Sequence, residues 1–494
     1  METKKNRSTF SGKLGFVLAA AGSAVGLGNL WRFPYLAAKY GGGIFLFVYI
    51  VLAVTFGFTL MATEIAIGRK TRLSPMAAFG ALNKKWSWMG KLVTLVPVLI
   101  LPYYCVIGGW VTKYTATMIS GAVQDAAGDN YFSTFISGTG EPLLWFLLFM
   151  TATAVIVFLG VEKGIEKFSR VLMPALLILT ILLSIFVVTR PGAGAGVAYY
   201  LKPDFSKLSM MTVLAALGQL FFSMSLAMGI MITYGSYLRK QDHIEQSVRQ
   251  IEVFDTLVAF LAGLMIVPAV FVYSGGDESA LGKGPSLMFV TLPKVFAEMK
   301  IGNLIGAGFF ILVLFAALTS SVSVMEAIVS GLDDRYHWGR KKATVICYIY
   351  AVALGICCSL GFGKWSSFTI FGFSILDFLD FVSNSLLMPV VGMLTCIMVG
   401  FVLKPQLIVN EIELNGPFKM KKFYSAMVKW IAPPCLLAIL ISSILDTATA
   451  PVAKTTGVIP QTSDDMPIVP LAVVCLGALG AFGVAFALKK RNHQ

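Results

Sequence analysis

The sequence predicts an all-α polytopic membrane protein of about 12 transmembrane helices, and three observations carry that prediction. Of its 494 residues 57% are hydrophobic and only 13% charged, with a mean hydropathy of +0.80; no soluble fold hides so much apolar surface. Apolar stretches of about 20 residues, each long enough to cross a bilayer, recur along the whole chain. Between them Lys and Arg gather in alternate loops, as positive-inside orientation produces. The net charge of +14 is therefore a topological signal, and no nucleic-acid partner is expected.

Taken in order, the spans fall near 13–38, 43–68, 91–120, 144–161, 166–189, 212–238, 245–273, 303–332, 343–361, 370–402, 429–446 and 467–488. Basic residues precede the first span (Lys4, Lys5, Arg7, Lys13) and lie between the second and third (Arg69, Lys70, Arg72, Lys84, Lys85, Lys91). They return at Arg239/Lys240, Arg335/Arg340/Lys341/Lys342, Lys419/Lys421/Lys422 and Lys489/Lys490/Arg491, whereas 121–143 carries acidic residues and no Lys or Arg. Both termini are expected to be cytoplasmic in a multi-pass plasma (cytoplasmic) membrane protein. No cleavable signal peptide is apparent. The outer loop 274–302 contains a short amphipathic helix around Leu287–Met299 that suits either a lid or a connector; 403–428 reads as a polar, basic cytoplasmic connector. All seven cysteines lie in apolar runs without metal-ligand spacing and read as packing residues.

The first span is interrupted by Gly22-Ser23-Ala24-Val25-Gly26-Leu27-Gly28-Asn29-Leu30-Trp31-Arg32-Phe33-Pro34. In hydrocarbon such a break is tolerated only where protein, ion or solute replaces the lost helix bonds. The sixth span repeats the feature at Gly218–Gly229, rich in glycine and hydroxyl residues. Paired broken helices five spans apart suggest two inverted repeats with a site between them. The competing reading, that Gly22-xxx-Gly26 is a close-packing motif, accounts less well for the pair. One domain is expected over 1–494: a first inverted repeat at 13–200 (helices 1–5), a second at 205–402 (helices 6–10), and two additional helices within 424–490.

Intramembrane carboxylates are costly and read as functional. Asp255 lies about 15 Å into the seventh span at 1.5 Å per residue, level with both breaks. With Asn29 and free backbone carbonyls it offers hard oxygen ligands for a small cation. Thr319, Ser320 and Ser321 add hydroxyls, which suit ligation or simple back-bonding. Arg32 and Asp380 stand toward the outer ends of their spans, as a gate or as two snorkelling side chains. Glu64 could pair with Arg69 or brace an unwound neighbour. His243, His337 and His493 lack a nucleophile or metal partner, and Gly26-Leu27-Gly28 lacks a preceding strand and a third glycine. The protein is not expected to be an enzyme.

Gly22–Pro34, Glu64-Ile65-Ala66-Ile67-Gly68-Arg69, Gly218–Gly229 and Thr319-Ser320-Ser321 closely resemble the neurotransmitter:sodium symporter family, in order over spans one to ten. The resemblance implies the bacterial leucine-transporter fold with discontinuous helices 1 and 6, and two Na+ ions as coupling partners. It places a solute carboxylate on the amides of Leu27 and Gly28 and the Tyr104 hydroxyl. The first sodium takes the Ala24 carbonyl, Asn29, Ser223, Asp255 and that carboxylate. The second takes the carbonyls of Gly22, Val25 and Ala316 with the hydroxyls of Thr319 and Ser320. Around the solute it sets Ala24, Ile100, Phe222, Ser223, Ser225, Met228, Ser320 and Val324. Arg32 and Asp380 match the outer gate; Arg7, Phe10, Ser236, Tyr237 and Asp334 match the inner gate, with Phe for the more usual Trp. Gly164 and Pro174 match a motif tied to cytoplasmic release.

Two departures narrow the expectation. Monoamine carriers place an Asp where this chain has Gly26, so an α-amino acid is favoured, hydrophobic and plausibly aromatic given the pocket. Chloride-dependent relatives carry Asn at Asp255, which here is expected to replace chloride and to couple proton counter-transport; Tyr49, Gln219 and Ser223 match the remaining chloride-site positions, while Ala259 offers neither hydroxyl nor charge. The sequence thus implies a chloride-independent, sodium-coupled amino-acid importer. The alternatives are a sodium-coupled carrier for a small amine or osmolyte and a non-transporting receptor-like member. Oligomeric state is left open.

Overall fold

The computed structural model describes residues 8–274 and 286–449. Among these the chain is helical, with two isolated bridges, Gly42 with Pro203 and Ile370 with Phe373. Nine helices are long and apolar enough to cross a membrane: Gly43–Thr71, Lys84–Ile119, Gly140–Leu159, Val161–Val188, Ile244–Val272, Gly302–Tyr336, Arg340–Leu360, Ile375–Val402 and Lys421–Leu445. A tenth span is the pair Lys13–Ala24 and Gly28–Lys39, bent by 53°. An eleventh is Met210–Ser223 continued, after an irregular turn, by Ile230–Tyr237. The expected twelfth span, 467–488, lies outside the described residues. So do Arg7 and Cys475.

The expected span edges shift where charged ends snorkel. The third helix starts at Lys84 and not at 91, because Lys84 and Lys85 reach outward while Trp86 and Trp88 stack at 6.0 Å. The tenth helix starts at Ile375, capped by Ser374, whose hydroxyl accepts the Asp377 N–H at 3.2 Å. The connector 403–428 is structured: it holds Gln406–Ile412 and the start of the span Lys421–Leu445.

The basic segments around Arg69, Arg239 and Asp334 gather with the start of the first span on one face. Phe10 N–H donates to the Tyr237 carbonyl at 3.3 Å, and Arg239 reaches the Ser11 carbonyl at 3.0 Å. Ser74 N–H donates to Asp334 at 2.6 Å. Arg69, fully buried, pairs with Glu411 at 2.8 Å and donates to Asn415 and the Asp242 carbonyl. Hydrogen bonding to Asp242 raises the Arg239 guanidinium. The loops 121–139 and 287–297 meet on the opposite face, where Lys294 bonds Asp129 and holds its carboxyl below the ordinary range. Residues 287–297 form two helical turns, Leu287–Thr291 and Leu292–Ala297. Phe289 anchors them in an aromatic cluster with Trp31, Trp110, Tyr114, Phe132 and Phe310.

Candidate functional site

The two breaks face each other at the centre of the bundle. Helix bonding in the first span fails after Ala24, and Val25 turns to extended backbone at ψ 98°. The side chain of Asn29 turns back to accept the Gly26 N–H at 3.1 Å. In the sixth span Ser225, Ala227 and Gly229 adopt φ values of 52°, 60° and 74°. Left-handed backbone at non-glycine residues costs about 1–3 kcal/mol each and persists only where the surroundings enforce it. Glu64 supplies part of that enforcement: its Oε1 accepts the Ala227 N–H at 2.7 Å. Of the two roles open to Glu64, bracing is the one observed, and Arg69 pairs with Glu411 instead.

Ser320 ties the eighth span to the first break. Its hydroxyl stands 3.4, 3.1 and 3.4 Å from the carbonyls of Gly22, Ser23 and Val25. Thr319 Oγ1 donates to Phe315 and Ala316 carbonyls at 3.0 and 3.1 Å, and Ser321 back-bonds to Leu318. Ser320 therefore reaches the first span, Ser321 also meets the Thr153 hydroxyl of another span at 2.8 Å, and Thr319 serves its own helix. The oxygens assigned to a second sodium, on Gly22, Val25, Ala316, Thr319 and Ser320, are brought together, and their hard-oxygen chemistry fits the ion.

Asp255 is fully buried on the other side of the break. Its Oδ1 accepts from Asn29 and Ser223, each at 2.8 Å, and its Oδ2 accepts from Tyr49 at 3.0 Å. Gln219 donates to the Gly28 carbonyl at 3.0 Å, and Ala259 is buried with nothing polar to offer. The hydroxyls of Tyr49 and Ser223 thus both point at a carboxyl group of the protein itself.

The apolar residues expected around a solute are buried alongside these clusters. Ile100, Met228 and Val324 are buried, as are Ala24 and Leu27. The Tyr104 hydroxyl is buried without a hydrogen-bond partner among the described residues. Such an orphan is costly and marks a place for a polar ligand group. Ser225 is spoken for: it donates to the Ser23 carbonyl at 2.9 Å. Gly26 is held to glycine by packing, since a Cβ there would stand 2.7 Å from Ser320 Oγ and 3.3 Å from the Tyr104 hydroxyl.

The expected gates are in different conditions. Arg32 lies over the Phe222 ring at 5.5 Å and faces Asp380 as its opposing charge. Asp380 is hydrogen-bonded by Asn384 at 2.6 Å, and the pair is not joined within salt-bridge distance. On the inner side Phe10 is enclosed by Phe16, Tyr234 and Tyr237, with Ser236 buried beside them and Asp334 bound to Ser74. Gly164 sits in the π-helical turn Val161–Glu166 with its Cβ position 2.0 Å from the Ile156 carbonyl, and Pro174 lies inside the helix that follows.

Several buried acids are not singled out by the sequence motifs, among them Glu326, Glu166 and Glu252. Glu326 is clasped by Arg340 at 2.9 and 2.5 Å and accepts from Tyr237 at 2.6 Å. Glu166 accepts from Ser11 N–H at 2.8 Å and pairs with Arg170. Glu252 lies one turn before Asp255. Each interrupts or borders an apolar run, and that signal was sufficient to mark them.

Discontinuous helices that turn free carbonyls, a carboxylate and hydroxyls inward define a membrane carrier that binds small ions and solutes in mid-bilayer. The chain belongs to the sodium:neurotransmitter symporter family, whose profile matches residues 7–135 and 130–476, and it is a sodium-dependent symporter of that family. It is 35% identical over 456 residues to an uncharacterized sodium-dependent transporter of Haemophilus influenzae, covering 89% of this chain and 99% of that one. It is 34% identical over 443 residues to the sodium-dependent transporter YhdH of Bacillus subtilis, covering 88% and 97%. The crystal structure of MhsT in complex with L-phenylalanine superposes with a TM-score of 0.80 at 37% identity, covering 89% of this chain and 100% of that chain.

Proposed function

We propose that this protein imports a hydrophobic, plausibly aromatic, L-amino acid together with two sodium ions by alternating access across the plasma membrane, with both termini cytoplasmic. The observation that carries the reading is the orphaned Tyr104 hydroxyl beside Gly26, with the apolar Ile100, Met228 and Val324 buried as well. It supports a carboxylate at that point, received also by the amides of Leu27 and Gly28 at the end of a half-helix. Phe222, Ser223, Ser225 and Ser320 complete the surroundings. Ala24, Asn29, Ser223 and Asp255 hold the first sodium; Gly22, Val25, Ala316, Thr319 and Ser320 hold the second. The family neighbour crystallised with L-phenylalanine supports the aromatic preference, and an amine carrier's Asp would collide with Ser320 at position 26.

In this reading Asp255 supplies the charge that chloride supplies elsewhere, because Tyr49 and Ser223 already donate to it. The repeats 13–200 and 205–402 move against each other, opening Arg32 and Asp380 outward or Phe10, Ser236, Tyr237 and Asp334 inward, with Gly164 and Pro174 loosening the fifth span. Ligand binding to the folded state raises its stability by mass action. Thermal unfolding of the purified protein with and without sodium, across the amino acids, tests the proposal. Stabilisation that needs sodium and peaks for Phe, Tyr, Trp or Leu is expected. Stabilisation by amines, or by amino acids with blocked carboxyl groups, would sink it.

A further inference from the structure

The seventh span carries a second acid that the ligand assignments leave unused. Glu252 stands three residues before Asp255 on the buried side of Ile244–Val272, about 5 Å along the axis at 1.5 Å per residue. It is 4% exposed, and its Oε1 has no hydrogen-bond partner among the described residues. Asp255, by contrast, has both oxygens occupied by three donors.

The charges that Glu252 faces are Arg249 and Asp255, both on its own helix. Arg249 is committed elsewhere, to Glu245 at 3.0 Å and over the Phe58 ring at 5.0 Å. The first, second and fifth spans and the helix Ala193–Leu201 pack against this helix, and their titratable groups are engaged away from Glu252. Lys13 donates to Gln246, Glu64 takes the Ala227 N–H, Arg69 binds Glu411, Arg170 binds Glu166 and Tyr200 donates to the Phe260 carbonyl. In the outer half of the first span, Arg32 lies over Phe222 and Lys39 over Tyr40. Lys70, Glu162, Lys163 and Lys167 are exposed, Arg72 donates to the Leu238 carbonyl, Tyr49 donates to Asp255, and Lys294 of Leu292–Ala297, which also packs here, binds Asp129.

An ionised carboxylate buried without a donor is so costly that the group neutralises instead. We infer that Glu252 is a proton-carrying residue, holding a proton while the cation position at Asp255 is empty and releasing it when sodium arrives one turn away. The cation's charge favours the ionised carboxylate over the neutral acid across a short distance in a medium of low dielectric, so the proton is released. The exchange balances: Na+ comes to Asp255, the Glu252 O–H bond breaks, and H+ leaves to water. Sodium bound from outside therefore expels a proton outward, and sodium lost to the cytoplasm lets another bind from there. This inference rests on the sodium reading of Asp255 and moves the proton from Asp255, where the sequence sets it, to Glu252.

Purified full-length protein in weak buffer with a pH-indicating dye provides the test. Adding sodium chloride, against potassium chloride as control, should release a proton per parent protein. Glu252→Gln should lose that release while keeping sodium-dependent thermal stabilisation, and its uptake into proteoliposomes should lose the parent's pH dependence. Glu252→Asp, which keeps a titratable group, should restore both, and it serves equally if the Gln variant fails to fold. A parent that binds sodium without releasing protons overturns the inference, as does a Gln variant that releases as many as the parent. A parent without sodium-dependent stabilisation would instead remove the sodium reading beneath it.

Discussion

At the residue scale the proposed replacement of chloride rests on Asp255. Its three donors, Asn29, Ser223 and Tyr49, are arranged for a negative charge, and removing that charge leaves two hydroxyls aimed at a neutral amide. A buried donor without its acceptor costs about 1–3 kcal/mol, so a variant lacking the carboxylate gains from any small anion that enters. Asp255→Asn is therefore expected to make sodium-dependent uptake require chloride, whereas the parent takes up substrate equally well in gluconate. Paired uptake assays in chloride and gluconate check it. A parent that stops in gluconate contradicts the assignment, and so does a variant indifferent to chloride. The residues of this site were legible because broken helices and intramembrane acids are rare and expensive. What was not legible is which hydroxyl does which work. Thr319, Ser320 and Ser321 are chemically alike in sequence, and only the approach of other spans separates them.

At the element scale the inner face is held by ion pairs that join helices distant in sequence. Arg340, at the start of the ninth span, closes on Glu326 deep in the eighth, and Tyr237 at the end of the broken sixth span joins them. Glu326 is fully buried and Arg340 partly exposed. Removing one partner of a buried pair leaves an uncompensated charge and costs about 3–5 kcal/mol. The protein can lower that cost by letting water reach Glu326, which means opening this face. Arg340→Gln is expected to lower the unfolding temperature and to speed alkylation of a cysteine introduced at Ser330, one turn beyond Glu326. Unchanged labelling with a lowered unfolding temperature would make the pair a stability feature and no latch. Periodicity and hydropathy located these helices but could not pair them. Arg340 reads in sequence as one more positive-inside residue, and its partner lies in another span. In the connector 403–428 likewise, the place of Glu411 is legible only once its partner Arg69 is known.

At the scale of the whole molecule the outer pair Arg32 and Asp380 is not joined as an ion pair, whereas the inner face is tied by the contacts of Phe10, Arg239 and Ser74. Coupling then depends on how much charge crosses per cycle. One sodium moving down about 100 mV contributes about 2.3 kcal/mol, and a tenfold gradient adds about 1.4 kcal/mol. Two sodiums entering with a zwitterion carry two charges; a proton leaving through Glu252 returns one. The steady-state accumulation ratio in proteoliposomes clamped with valinomycin reads this difference directly. A 30 mV step toward inside-negative is worth about 0.7 kcal/mol per net charge. The parent should therefore gain about 3-fold in accumulation per step, and Glu252→Gln about 10-fold, at 1.4 kcal/mol per decade. Equal voltage steps in the two proteins would mean that Glu252 carries no proton across, and a parent gain near 10-fold would assign both sodiums to a cycle without proton return.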